Sequence, residues 1–221
     1  MSYEGILAVL DNIRVFTQSS IRIESRHGVI YVDPFGLKEN FNDAAFILIT
    51  HDHYDHFSPE DIAKVIKDDT IIVGPEKMES KLYEIAGEGN KVYTLAPGVY
   101  KEISGLEIET VPAYNNFKPF HTKLMGWLGY ILRLDKRIYI AGDTSLTKDN
   151  QQVKCDIALV PIGGKFTMDP GKAAELINII RPEYAIPTHF GGSVGSPDCA
   201  DAFKAGVNPP VKVVDKIEYF N

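Results

Sequence analysis

Cysteine is nearly absent from this chain: only Cys155 and Cys199 occur in 221 residues. Two distant cysteines exclude a disulfide framework and a thiolate-bound structural zinc site, and they fit a reduced, cytoplasmic setting. Cys155 precedes an apolar stretch and reads as a packed thiol rather than a nucleophile. Long apolar runs are missing too, so no segment reads as a membrane span. The start, Met1-Ser2-Tyr3-Glu4, lacks the basic-then-apolar pattern of a secretory leader. There is no basic tract, and the net charge is −7, which argues against duplex nucleic acid as a partner. No repeat, low-complexity tract or linker divides the chain, so residues 1–221 read as one domain, long enough to bury a sizeable core. Histidine is also scarce, with six at positions 27, 51, 53, 56, 121 and 189.

Half of those histidines fall in His51-Asp52-His53-Tyr54-Asp55-His56, which spells H-x-H-x-D-H. Such a density of imidazole and carboxylate is a metal-ligand pattern. The apolar run Phe46-Ile47-Leu48-Ile49 before it reads as a buried strand, and Ser58-Pro59-Glu60-Asp61 after it reads as a helix start, with serine as the cap. The cluster therefore sits on a strand-to-helix loop. In extended backbone, residues 51, 53 and 55 project to one side, while His56 approaches from another. That arrangement supplies ligands for two adjacent ions.

Strand patterns recur at 13–17, 20–24, 29–32, 70–73, 92–95, 100–103, 107–111, 128–134, 137–141, 157–161, 184–187 and 211–214, with helices at 59–67, 75–86, 171–180 and 197–205. Strands dominate the first part and mix with helices in the second. That order predicts an α/β fold of two packed sheets with helices outside, not a Rossmann fold. Three further candidate ligands follow apolar strands directly or within two residues: Asp33 after Val29–Val32, Asp143 after Gly142, and His189 after Thr188. The glycine at 142 would let backbone approach an ion closely.

The order Asp33, His51-x-His53-x-Asp55-His56, Gly142-Asp143-Thr144, His189 resembles the metallo-beta-lactamase-fold hydrolase superfamily, and within it the small metal-dependent hydrolases related to ascorbate-6-phosphate lactonase. Tyr31 to Pro34, Thr50 to Pro59, Tyr139 to Thr144 and Pro161 to Gly164 support the resemblance, which spans about residues 15–195. It implies a four-layer αβ/βα sandwich of two mixed sheets with outer helices and a dinuclear site at the sheet edge. It implies that His51 and His53 bind a first ion, that Asp55, His56 and His189 bind a second, and that Asp143 bridges them. Asp33 would hydrogen-bond a ligand histidine and fix its tautomer. One position departs: the family's third histidine for the first ion falls at Tyr114, in Val111-Pro112-Ala113-Tyr114-Asn115. His121, seven residues on, is either the missing ligand or a substrate contact. His27 reads as a surface residue.

Histidine and carboxylate ligands suit one or two Zn²⁺, with Mn²⁺ or Fe as alternatives. A hydroxide on such ions attacks at neutral pH without a serine or cysteine, so the expected activity is hydrolysis of a small, anionic ester, lactone or phosphodiester. Asp55 would orient the hydroxide and pass on its proton. Lys123, Lys165 and Thr188, with Tyr114 and Asn115 on the irregular segment 114–127, are candidate substrate contacts. Two other readings stand beside this one: an iron oxidoreductase of the persulfide-oxidising kind, and a metal-binding homologue without catalysis. A flavodiiron protein carries H-x-E-x-D, where this chain has His53. A homo-oligomer is compatible with all three.

Overall fold

The computed structural model describes residues 9–116, 121–192 and 194–220. Among them, the strands form two mixed sheets. The first holds β1 (Ile13–Val15), β2 (Ile21–Ser25), β3 (Gly28–Val32), β4 (Ala44–Leu48), β5 (Ile71–Pro75) and β6 (Lys91–Leu95), in that order. The second runs β13 (Lys212–Val213), β12 (Tyr184–Thr188), β11 (Ile157–Pro161), β10 (Arg137–Ile140), β9 (Leu128–Arg133), β8 (Leu106–Pro112) and β7 (Tyr100–Ile103). Helices α1 (Pro59–Val65), α2 (Glu79–Ala86), α3 (Pro170–Ile180) and α4 (Cys199–Gly206) accompany them, with short 3₁₀ turns at Glu76–Met78, Lys123–Met125 and Asn150–Gln152.

Three apolar layers account for the stacking. Between the sheets, Ile23, Ile30 and Leu48 of one meet Ile108, Leu132 and Ile186 of the other. Behind the first sheet, Ile62 and Val65 of α1 and Leu82 of α2 pack on Ile47 and Ile72. Behind the second, Ala174 and Ile177 of α3 and Phe203 of α4 pack on Ala158 and Val160. The result is the expected αβ/βα sandwich. Each buried Leu, Ile or Val contributes about 1.5–3 kcal/mol, against about 0–1 for an exposed ion pair, so these layers hold the frame.

Local signals set the element ends. Ser58 accepts from the Asp61 amide at 3.3 Å with Pro59 in the first turn of α1, and Asp169 accepts from the Lys172 amide at 2.8 Å to start α3. Residues 75–78 depart from the expected helix. Pro75 stays extended as the last residue of β5, paired with Leu95, and a 3₁₀ turn over Glu76–Met78 precedes α2. The last helix starts at Cys199, because 196–200 form a tighter turn with Cys199 N–H donated to the Ser196 carbonyl.

Topology positions the site. Strands β3 and β4 are parallel, as are β10, β11 and β12. Asp33, the His51 loop, Asp143 and His189 follow the C-terminal ends of these strands and gather at one edge. The two sheets are tied there by backbone bonds from Leu128 N–H to the Thr50 carbonyl (3.1 Å) and from His189 N–H to the Gln18 carbonyl (2.9 Å).

Candidate metal centre

Asp33 follows β3 with its backbone in the left-handed region, φ 47°. Its carboxylate accepts from the Thr50 amide (2.8 Å), the Thr50 hydroxyl (2.6 Å) and His56 Nδ1 (2.7 Å). The Thr50 hydroxyl has one proton, and it goes to Asp33. Its oxygen therefore accepts from His51 Nδ1, 2.9 Å away. Both imidazoles are thus held by Nδ1 and offer the lone pair of Nε2. His189 also lies in the left-handed region, φ 55°; that strain is tolerated because the surrounding backbone bonds over-determine it.

The loop is not extended past His53. His56 and Phe57 both donate their N–H to the His53 carbonyl, at 3.0 and 2.8 Å, closing a turn over 53–56. That corrects the expectation that Asp55 projects with His51 and His53. The turn instead swings Asp55 and His56 toward His189. Besides Asp33, His51 and His56, which are already joined through Thr50 and His56 Nδ1, two donor groups result: His51, His53 and Asp143; and Asp55, His56 and His189, each with donor atoms within 4.8 Å of one another. Asp143 faces both. Its Oδ1 lies 3.3 Å from His56 Nε2 and 3.4 Å from His189 Nε2, and its Oδ2 lies 4.0 Å from His51 Nε2. Asp55 Oδ2 is 3.2 Å from His189 Nε2.

These donors fit a cation. His51 Nε2, His56 Nε2, His189 Nε2 and Asp143 Oδ1 are buried with no hydrogen-bond partner, a condition that costs about 1–3 kcal/mol per group unless something satisfies it. Mixed imidazole and carboxylate donors are what a borderline divalent ion takes.

The electrostatics agree. Burial pushes His51 well below the ordinary imidazole value, reinforced by neighbouring His56, so it is a neutral ligand. Burial alone would raise Asp143, but His189, His56 and His51 hold its carboxyl well below the usual range. Asp55 behaves alike: burial raises it, and neighbouring His189 and His56 bring it below the ordinary value. Burial pushes Asp33 up, against His56 and Thr50. Burial would lower His56, yet Asp143 and Asp33 raise it well above the ordinary value. That preference for positive charge marks the spot a cation would occupy.

A cavity of about 460 Å³ opens over the donors, lined by His53, Tyr54, Asp55, His121, Asp143, Lys165, Phe166, His189 and Val194. His121 is fully buried beside His53 and His51, with ring centroids 4.8 and 5.8 Å apart, and both its ring nitrogens lack partners. It belongs to neither donor group, and burial pushes it down to about 4. Residues 117–120 of the 114–127 segment lie outside the described residues.

Four expected substrate contacts do not line the cavity. Tyr114 donates its hydroxyl to Asp149 (2.7 Å), and Lys123 pairs with the same carboxylate (2.7 Å). Asn115 is buried and bonds protein loops, and Thr188 is buried in β12. Lys165 alone of the five is at the cavity. Gly142, φ 63°, lies against the Leu128 carbonyl: a Cβ there would meet that oxygen at 2.9 Å and Thr50 Cβ at 3.2 Å. His27 is half-buried, its Nε2 3.1 Å from Arg26 Nε. Thr50, Trp127 and Phe166 were not singled out by sequence. Thr50 precedes the motif directly and could have been found as its polar anchor. Trp127 and Phe166 carry no local signal.

Residues 12–189 match the model of the beta-lactamase superfamily domain. A UPF0173 metal-dependent hydrolase of Pyrococcus abyssi is 32% identical over 209 residues, covering 84% of this chain and 87% of that protein. One from Thermococcus onnurineus is 32% identical over 182 residues, covering 73% and 76%. The crystal structure of a putative metal-dependent hydrolase from Parabacteroides distasonis superposes with a TM-score of 0.74 at 32% identity, covering 92% of this chain and 91% of that one. With the buried donors at the sheet edge, these matches make the chain a member of the beta-lactamase superfamily, with the metallo-beta-lactamase fold and with UPF0173 metal-dependent hydrolases among its relatives.

Proposed function

We propose that the chain hydrolyses a small, anionic ester, lactone or phosphodiester at a dinuclear centre, with zinc as the favoured ion and manganese or iron as alternatives. The observation that carries this reading is the placement of Asp143, whose two oxygens face separate donor groups. His51 and His53 would hold one ion, Asp55, His56 and His189 the other, and Asp143 would bridge. Ions held there acidify a water from pKa 15.7 toward ~7 and polarise the oxygen under attack.

The chain's own groups supply the rest. Asp55 lines the cavity and stays ionised beside His189, so it can orient the attacking water and move its proton to the leaving group. His121, neutral above pH about 4, lines the cavity with both ring nitrogens unpartnered and would serve as ligand or substrate contact. Tyr54, Phe166 and Val194 give the mouth apolar surface, suited to the uncharged part of a substrate. Lys165, which also lines the cavity, would meet its anionic group.

The test is hydrolysis of bis-p-nitrophenyl phosphate and a lactone panel by the purified protein. Asp55→Asn should keep the fold and lose at least about 100-fold in turnover. Full activity in that variant would refute its role.

A further inference from the structure

Asn115 lies where three loops of the site meet. Its side chain is buried, 4% exposed. Its Nδ2 donates to the Phe166 carbonyl at 2.5 Å, and its Oδ1 accepts from the Ser145 hydroxyl at 2.5 Å. Its backbone N–H donates to the His121 carbonyl at 2.6 Å. The amide orientation is fixed chemically, because a carbonyl only accepts and must face the NH₂ group. Each partner leads to a different part of the centre. Ser145 lies two residues after Asp143, His121 lines the cavity, and Phe166 forms its mouth with Lys165.

We propose that Asn115 is a positioning residue for hydrolysis: a three-way tie that holds His121 and the Phe166 mouth in register with the Asp143 loop. It does not touch the cavity itself. Other bonds hold the Tyr114 end of the segment. The Ser145 amide and the Thr144 hydroxyl donate to the Tyr114 carbonyl, at 2.9 and 3.0 Å. Neither reaches His121 or Phe166. The Met168 N–H donates to the Thr144 carbonyl at 3.1 Å and joins the far end of the mouth loop to the Asp143 loop; the Asn115 side chain adds a second tie at Phe166, beside the cavity. Removing it leaves the Phe166 carbonyl and the Ser145 hydroxyl without this partner in a buried place. His121 packs edge-on against Trp127, ring centroids 4.8 Å apart, and parallel to Phe166 at 6.1 Å. A released segment would therefore loosen both ring contacts. Trp127 is the sole tryptophan of the sequence, so its emission reports this event without any substrate.

The experiment compares the intact protein with Asn115→Ala, Asn115→Asp, His121→Ala and the Asn115→Ala/His121→Ala double variant. Asn115→Ala should red-shift Trp127 emission, raise its acrylamide quenching and lower kcat/KM on bis-p-nitrophenyl phosphate about 10-fold. In the His121→Ala background the same change should cost less than about 2-fold, because residues acting through one another are not additive. Asn115→Asp, which keeps the Ser145 acceptor but loses the Phe166 donor, should give an intermediate emission shift; it serves as the test if Asn115→Ala fails to fold. Unchanged Trp127 emission in a folded Asn115 variant would overturn the proposal, as would losses that simply multiply in the double variant. The emission arm is independent of turnover, so it decides the tie even if no probe is hydrolysed.

Discussion

Asp33 Oδ2 lies 2.7 Å from His56 Nδ1, although 23 residues separate them in the chain. The bond turns His56 so that Nε2 faces Asp143. The same carboxylate takes the Thr50 proton, so it also fixes His51. One buried acid therefore sets the lone pairs of one histidine in each donor group. Asp33→Ala should lower metal affinity about 10–100-fold while every direct ligand remains. Competition against a chromogenic chelator measures this, and an affinity within 2-fold of the parent would remove Asp33 from the account.

Asp61 should govern acid stability. It accepts from the Gly36 and Leu37 amides at 2.8 and 3.0 Å and from Lys64 at 2.9 Å. Burial would raise its carboxyl, but Lys64, the Gly36 amide and Ser58 hold it below the ordinary value. A depressed folded pKa means stability that is present above the unfolded value, near pH 4, and lost as pH falls through the folded one. Asp61→Ala should cost about 1–3 kcal/mol at pH 7. The gap in Tm between parent and variant should narrow as the pH drops below about 4. A gap that widens there would contradict this role.

The two lysines once equivalent in sequence should separate in kinetics. Lys165 lines the cavity, whereas Lys123 is committed to Asp149 outside it. Lys165→Ala should raise KM for an anionic probe about 10-fold with a smaller change in kcat. Lys123→Ala should change KM by less than about 2-fold. Equal effects in the two variants would argue against Lys165 as the anion contact.

Gly142→Ala should damage the centre through backbone. The residue sits at φ 63° with the Leu128 carbonyl 2.9 Å from where a Cβ would stand. A loss of about 1–3 kcal/mol is expected from strain and crowding, with Asp143 displaced. Thermal unfolding gives the first, and metal titration the second. A variant as stable and as tight as the parent would show the glycine to be incidental.

Much of this was legible in the sequence because it was local. The run Phe46–Ile49 and the Ser58-Pro59 start bracket the motif loop as read, and Asp33, Asp143 and His189 do follow strands that end at one edge. What was not legible depends on partners far along the chain. Tyr114 and Lys123 look like pocket residues until Asp149, 35 and 26 residues away, takes both. Asn115 looks like a substrate contact until Ser145 and Phe166 satisfy its amide. The turn that swings Asp55 and His56 away from His53 is made by backbone bonds that no side-chain pattern announces. Trp127 and Phe166 enter the site only because β9 and the 163–168 loop arrive there.

The most direct test of the proposed dinuclear centre is metal content by elemental analysis, comparing the parent with His51→Ala/His53→Ala. The parent should hold close to two transition-metal ions per chain, and the double variant one or fewer, with the far-UV signature of the fold retained. Equal metal content in the two proteins would contradict the assignment of these histidines and the centre built on them.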